Sequence, residues 1–213
     1  MKELRVNVEE EMETLRREIL NCTKCGLAGN RRNPVPGEGS LKAEVMFVGE
    51  APGVEEDRQG RPFVGAAGKL LNSLLESIGL NRTKVFITNV VKCRPPRNRP
   101  PRVSEIAACR PYLNRQIDLI DPKVICLLGN SAIKTLLSKE ISVGEAHGEA
   151  YRKGNRLYMP LYHPAAALYN FNLKPMLFED MERLRSLMRG EVKAIKEVPS
   201  SSLERQTKLY DVL

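Results

Sequence analysis

Four cysteines set the tightest limit on how this chain can fold. Cys22 and Cys25 form a C-x-x-C pair, whereas Cys93 and Cys109 lie far along the chain. A two-residue gap lets neighbouring sulfurs face one metal centre without straining the backbone, and thiolate ligands select zinc or iron–sulfur clusters. Compact zinc fingers bring their second pair in close behind the first. Here residues 26–92 intervene before Cys93 and residues 94–108 before Cys109, so folding itself must gather the ligands, as a staple across the domain. Ordinary buried thiols are the alternative for a lone C-x-x-C, and the second pair weighs against them. The fifth cysteine, Cys126, sits in the apolar run Lys-Val-Ile-Cys-Leu-Leu-Gly at 123–129 and reads as a small core hydrophobe.

The remaining pattern alternates two periodicities. Residues 5–20 carry apolar side chains at helical spacing, so an amphipathic helix delivers the C-x-x-C. Short continuous apolar runs at 44–48, 85–91, 123–128 and 157–162 read as strands buried on both faces. Helical patterns at 66–79, 103–120, 130–138 and 174–189 fall between or after them. Strand alternating with helix predicts an α/β parallel sheet sandwiched by helices, and ligands in such sheets bind beyond the carboxyl ends of the strands.

The residues just after those strands are the unusual ones. Gly49-Glu50-Ala51-Pro52-Gly53 places a carboxylate in a tight turn, and the following loop carries Glu56 and a lone aromatic, Phe63, among Gly and Pro. Asn89 offers a side-chain amide that can read a donor and acceptor pair. His163, one of only two histidines, opens a small-residue turn with an apolar tip, His163-Pro164-Ala165-Ala166-Ala167-Leu168-Tyr169. Taken singly, each suits a cap, a bulge, a core position or a turn. Together, a carboxylate, an amide, an aromatic and a histidine at one sheet edge are what a pocket needs.

Composition limits the partners. The 213 residues suit one domain over 1–190 plus a tail over 191–213, and the net charge of +8 favours a polyanionic partner. No apolar stretch approaches the roughly 20 residues needed to span a bilayer, and no signal-peptide pattern opens the chain. An intracellular, cytoplasmic, reducing location without membrane contact is therefore expected, where thiols bind metal more often than they form disulfides. Lys92, Arg94, Arg97, Arg99 and Arg102 crowd a proline-rich stretch next to Cys93, a footprint suited to phosphates.

Read together, Gly49–Gly53, Gly60-Arg61-Pro62-Phe63-Val64-Gly65, Thr88-Asn89-Val90-Val91-Lys92-Cys93-Arg94-Pro95-Pro96, His163-Pro164-Ala165 and the four cysteines resemble the family-four uracil-DNA glycosylases, the iron–sulfur enzymes of archaea and bacteria, over about residues 12–189. The resemblance implies a three-layer α/β/α sandwich on a four-stranded parallel sheet. It also implies a 4Fe-4S cluster on Cys22, Cys25, Cys93 and Cys109, and a prokaryotic monomer acting on uracil-containing DNA.

By the same resemblance, Glu50 and His163 are catalytic: Glu50 positions water and His163 donates toward O2 of the base. Ala51, Gly53, Phe63 and Asn89 join them around uracil, with Phe63 stacking, Asn89 reading O4 and N3–H, and Glu56 filling the space of a thymine methyl. Leu168 wedges into the duplex with Tyr169 in support, and Arg94, Arg97 and Arg99 bind phosphates. No lysine nucleophile is evident, so simple hydrolysis to an abasic site is expected. Beyond Gly190 the sequence turns charged and Ser-rich, which predicts a mobile tail. Its end, Gln206–Leu213, resembles a sliding-clamp motif in which Val212 and Leu213 replace the usual aromatics; a short helix packed on the domain is the alternative.

Overall fold

A computed structural model describes residues 7–192 and 195–198. Among these residues seven strands make one sheet: β1 (Glu38–Gly39), β2 (Val45–Gly49), β3 (Phe86–Asn89), β4 (Val124–Leu128), β5 (Tyr151–Lys153), β6 (Arg156–Leu161) and β7 (Lys196–Glu197), in the order β1-β3-β2-β4-β6-β5-β7. The central four, β3-β2-β4-β6, are mutually parallel, with Phe47 opposite Ile87 on one side and Cys126 on the other. They are the four strands expected from the apolar runs. The expectation of four strands falls short only at the edges, where β1 and β5 join antiparallel and β7 pairs parallel to β5. These additions are two or three residues long, too short to leave a period in the sequence.

Among the described residues eight α-helices accompany the sheet: α1 (Val8–Leu20), α2 (Val54–Gln59), α3 (Ala66–Ser77), α4 (Val103–Ile120), α5 (Asn130–Leu136), α6 (Val143–Ala146), α7 (Pro164–Tyr169) and α8 (Leu173–Met188). Alternation along each central strand explains why its whole run is apolar. Met46, Val48, Ile125 and Leu127 face a cluster containing α1, α4 and α5 residues, whereas Val45, Phe47, Val124, Cys126 and Leu128 face one built on α3, α7 and α8. Both faces are thus covered, as parallel sheets require, and the three-layer sandwich follows. Cys126 is fully buried, as its setting implied.

Helix α1 begins at Asn7, whose side chain accepts the Glu9 N–H at 3.2 Å, with three glutamates in its first turn. Both features suit a positive helix end. Its buried Met12, Leu15 and Ile19 contribute roughly 1.5–3 kcal/mol each. That burial fixes the helix against α4 and so aims Cys22 at Cys109. The segment after His163 was expected as a turn but forms α7, because Pro164 at its first position has a preset φ and no N–H to waste. A mobile tail was expected from residue 191, yet residues 195–198 run along the sheet edge, where Lys196 N–H donates to Ala150 O at 2.8 Å and Val198 is buried. The Ser-rich stretch and Gln206–Leu213 lie outside the described residues. No helix among the described residues is long and apolar enough to cross a membrane.

Candidate active site and four-cysteine centre

The carboxyl ends of the parallel strands open onto a cavity of about 440 Å³, and Glu50, Ala51, Gly53, Glu56, Phe63, Asn89 and His163 all stand on its wall. Each arrives there from a strand end. Glu50 follows β2, Asn89 is the last residue of β3, and His163 follows β6 as the cap of α7. The backbones of the first two turns are zipped together, with Val90 N–H on Gly49 O at 2.9 Å and Val91 N–H on Glu50 O at 3.1 Å. The carboxylate and the amide therefore share one rigid support.

Burial raises the pKa of Glu50, and a hydrogen bond with Ser131 partly offsets this. Ser131, from the first turn of α5, was not foreseen; neither were its cavity neighbours Gly129 and Asn130. Gly-Asn-Ser after a strand reads in sequence as nothing more than a helix start. The Asn89 side chain is 1% exposed, and its Oδ1 has no hydrogen-bond partner in the protein. An orphaned acceptor at that depth is costly unless a ligand meets it.

His163 Nδ1 accepts the N–H of Ala165 at 3.1 Å. Its proton in the neutral ring therefore resides on Nε2. Burial pushes the His163 pKa down to about 4, against a smaller opposing pull from Glu56, so the neutral ring prevails at pH 7. Its ring stacks on Phe63, with centroids 5.5 Å apart and planes 26° from parallel.

Phe63 occupies the left-handed region at φ 52°, a placement that needs outside support. Arg82 supplies it, donating to the Pro62 carbonyl at 2.5 Å and the Phe63 carbonyl at 3.0 Å while pairing with Glu38 at 2.6 Å. Glu38 also holds Arg61 at 2.7 Å. Nothing in the sequence links Glu38 and Arg82 to the Arg61-Pro62-Phe63 segment, so neither the strain nor its support could be anticipated. Glu56 has a bracing role as well: its carboxylate accepts the N–H groups of Gly53 at 3.1 Å, Val64 at 2.8 Å and Gly65 at 2.9 Å. It thereby ties the turn before α2 to the loop before α3 while remaining on the cavity wall.

The four cysteines meet around a second, much smaller cavity, against Ile19, Arg31, Lys92 and Tyr112. Three of the sulfurs accept N–H groups: Cys22 from Lys24 N–H at 3.5 Å, Cys93 from Arg31 Nη1 at 3.0 Å and Cys109 from Lys92 N–H at 3.2 Å. Arg31 also binds the Cys22 carbonyl at 2.8 Å, so one guanidinium spans both halves of the set. Burial raises the thiol pKa of Cys93, and that of Cys109 to about 11. Among the described residues no three His, Cys, Asp or Glu side chains are spaced to hold a single metal ion.

The basic stretch divides on inspection. Arg94 donates to Asn98 at 2.8 Å, Arg97 is exposed at φ 56°, and Arg102 is exposed. Arg99 lines the large cavity but forms a two-pronged ion pair with Glu105 at 2.8 and 2.6 Å. Lys92 was expected among the phosphate-binding cations, and this is corrected. It is 1% exposed, and its ammonium is spent on Thr88, Asn89 and Gln116. Helix α7, whose start lines the cavity through His163 and Ala165, ends in exposed Leu168 and Tyr169, and Phe171, two residues further on and not singled out before, is 78% exposed.

A family model described as the uracil DNA glycosylase superfamily matches residues 36–184. The chain is 52% identical over 187 residues to the type-4 uracil-DNA glycosylase of Sulfurisphaera tokodaii, covering 84% of this chain and 85% of that protein. It is 47% identical to the type-4 uracil-DNA glycosylase of Saccharolobus solfataricus (84% and 87% covered) and 44% identical to that of Archaeoglobus fulgidus (84% and 94%). With a strand-edge pocket of acid, amide, aromatic and histidine beside a four-cysteine centre, the chain belongs to the uracil-DNA glycosylase superfamily, among its type-4 members.

Proposed function

We propose that this protein excises uracil from DNA by hydrolysing the N-glycosidic bond, leaving free uracil and an abasic site. The observation that carries the reading is the unpartnered, buried Oδ1 of Asn89 on the wall of a pocket that also presents Glu50, Phe63 and His163. Uracil offers that oxygen a partner in N3–H, and the amide NH₂ of the same side chain a partner in O4. Cytosine presents the reverse pattern and leaves both groups unpaired. A site built on hydrogen bonding discriminates by about 10⁴-fold or more where a hydrophobic pocket alone cannot.

The base must first leave the stack, at a cost of a few kcal/mol that is smallest for a mismatched or single-stranded base. Leu168 supplies an apolar wedge at the rim, Tyr169 and Phe171 supply exposed rings for stacking, and Arg94, Arg97 and Arg99 supply cations to the backbone. Inside the pocket Phe63 stacks on the flipped base, its ring already fixed against His163. As the C1′–N1 bond breaks, its electron pair passes into the uracil ring and gathers on O2 and O4. The Nε2–H of neutral His163 donates toward O2, and a preorganised donor of this kind supplies about 3–4 kcal/mol. Glu50, with its basicity raised by burial, positions the water, takes its proton as oxygen bonds to C1′, and offsets the positive charge on the sugar. Glu56 closes the space beside the base that a thymine methyl would need.

The cysteine site fits an iron–sulfur cluster better than a lone zinc ion. Four thiols face one small cavity, and N–H donors reach three sulfurs, which stabilises thiolates. Among the described residues no three candidate ligands are spaced for a single metal ion, which weighs against zinc. Cys22, Cys25, Cys93 and Cys109 would hold a 4Fe-4S group. It would supply a covalent cross-link between the N-terminal helix, the Cys93 turn and α4.

The remaining parts of the reading are a chain that works as a monomer and a C-terminal Gln206–Leu213 motif that engages a sliding clamp. The decisive test is release of uracil from a labelled oligonucleotide holding one uracil, against cytosine and thymine controls, with and without alkali. Alkali-dependent cleavage at uracil alone is expected. No release from metal-loaded protein on any uracil strand would overturn the assignment.

A further inference from the structure

Lys92 is a buried cation that the mechanism does not use. Its ammonium donates to Thr88 Oγ1 at 2.6 Å, to the backbone carbonyl of Asn89 at 2.8 Å and to Gln116 Oε1 at 2.7 Å, all buried. Among the described residues no carboxylate pairs with it. Its direct acceptors are neutral, and although the Cys109 and Cys93 sulfurs attract the ammonium when ionised, burying it remains expensive; an apolar side chain of the same length would fill the space without that cost. The position therefore calls for a reason beyond packing.

The geometry of its neighbours supplies one. The Lys92 main chain faces the cysteine site, donating its N–H to Cys109 Sγ at 3.2 Å, and Cys93 follows directly in sequence. Its carbonyl accepts the Val35 N–H at 2.7 Å. Its side chain turns back toward the end of β3. There it grips the carbonyl of Asn89, whose amide enters the pocket with no hydrogen bond of its own on Oδ1. Gln116 completes the frame: it belongs to α4, the helix that carries Cys109, and its Nε2 donates to the Pro36 carbonyl at 2.7 Å. Thr88 Oγ1 bonds the same carbonyl at 3.0 Å. An amide that makes no Oδ1 bond is held in orientation only by its backbone and by van der Waals contact, and Lys92 fixes that backbone.

We propose that Lys92 is a positioning residue for base recognition, a strut that transfers the rigidity of the four-cysteine site to the amide of Asn89. The inference rests on the reading of Asn89 as the group that meets the base edge. It deepens that reading by giving the cysteine site a role in recognition as well as in folding.

The test compares Lys92→Met and Thr88→Val with the unsubstituted protein, all metal-loaded. Five quantities are measured: uracil release, inhibition by free uracil, binding to DNA that already carries an abasic site, visible absorbance and thermal midpoint. A misplacement of about 1 Å costs on the order of 10²-fold in rate. Lys92→Met is therefore expected to lower kcat/KM about 100-fold and weaken inhibition by free uracil, while abasic-DNA affinity stays within about twofold. Thr88→Val, which removes one of the three acceptors, is expected to fall between, and it carries the test if Lys92→Met does not fold. Parallel loss of abasic-DNA binding and absorbance would reduce Lys92 to a structural part and overturn the proposal, as would unchanged uracil release in a folded variant. If the unsubstituted protein released no uracil, the functional reading itself would fail instead.

Discussion

Gly49→Ala separates geometry in the pocket from stability of the fold. Gly49 ends β2 with a φ that an L-residue accepts, so the backbone does not demand glycine there. Space does: a Cβ would stand 2.5 Å from Asn89 Oδ1 and 2.6 and 2.9 Å from the Cζ and Cε2 atoms of Phe63. Such contacts relax only by a shift of roughly 1 Å, and both groups in the way are those proposed to hold the base. Overpacking costs about 1–3 kcal/mol, while replacing glycine returns about 0.4–1 kcal/mol through the unfolded chain. The net loss of about 0–2.6 kcal/mol lowers the thermal midpoint by at most about 10 °C for a domain of this size. The rate should suffer far more, with kcat/KM for uracil release falling about 100-fold. Gly29→Ala, where a Cβ meets nothing within 4 Å, serves as the control in the same oligonucleotide and melting assays. Release within about threefold of the parent from folded Gly49→Ala, against the 100-fold loss expected from misplacement, would refute the view that Asn89 and Phe63 must hold these positions.

Other substitutions probe the remaining parts. His163 is neutral when folded, with its pKa down at about 4 against 6.5 when unfolded. Its contribution is therefore complete above about pH 6.5 and is lost as pH falls toward 4, by at most roughly 3 kcal/mol. Melting from pH 7 to pH 4 should show that slope, and His163→Gln should flatten it. Cys93→Ser should abolish visible absorbance and lower the thermal midpoint, and a variant that keeps both would argue against the cluster. Replacing Tyr169 and Phe171 together with alanine should weaken binding to single-stranded DNA roughly tenfold or more, since each base–aromatic stack is worth about 1–3 kcal/mol. Free uracil should inhibit that variant as before; a loss of inhibition would mean that the substitutions had disturbed the pocket.

The central sheet was legible because its four strands are buried on both faces, and such strands cannot hide: Val45–Val48 and Val124–Leu128 are apolar without interruption. The pocket residues were legible because strand ends in parallel sheets are where ligands sit, which made Glu50, Asn89 and His163 stand out among loop residues. What escaped notice is held by long-range polar geometry. Arg31 reaches Cys93 across residues 32–92, and Arg82 supports Phe63 through backbone carbonyls that carry no side-chain signature. Lys92 misled for a related reason: a lysine in a run of cations reads as solvent-facing, and only the fold reveals three acceptors waiting inside. Short elements such as α2 and α6 span little more than one turn and leave no measurable period.

The support of Phe63 bears on temperature. Its carbonyl hangs from Arg82, and Arg82 is secured by Glu38, which is shared with Arg61. Burial opposes ionisation of Glu38, yet the two guanidiniums together hold its pKa below the ordinary carboxylate value. The cost of desolvating charges falls on heating, whereas apolar contacts gain little more. The aromatic wall of the pocket is thus fastened by the kind of contact that loses least as the surroundings grow hot, and its shape should outlast the looser surface around it.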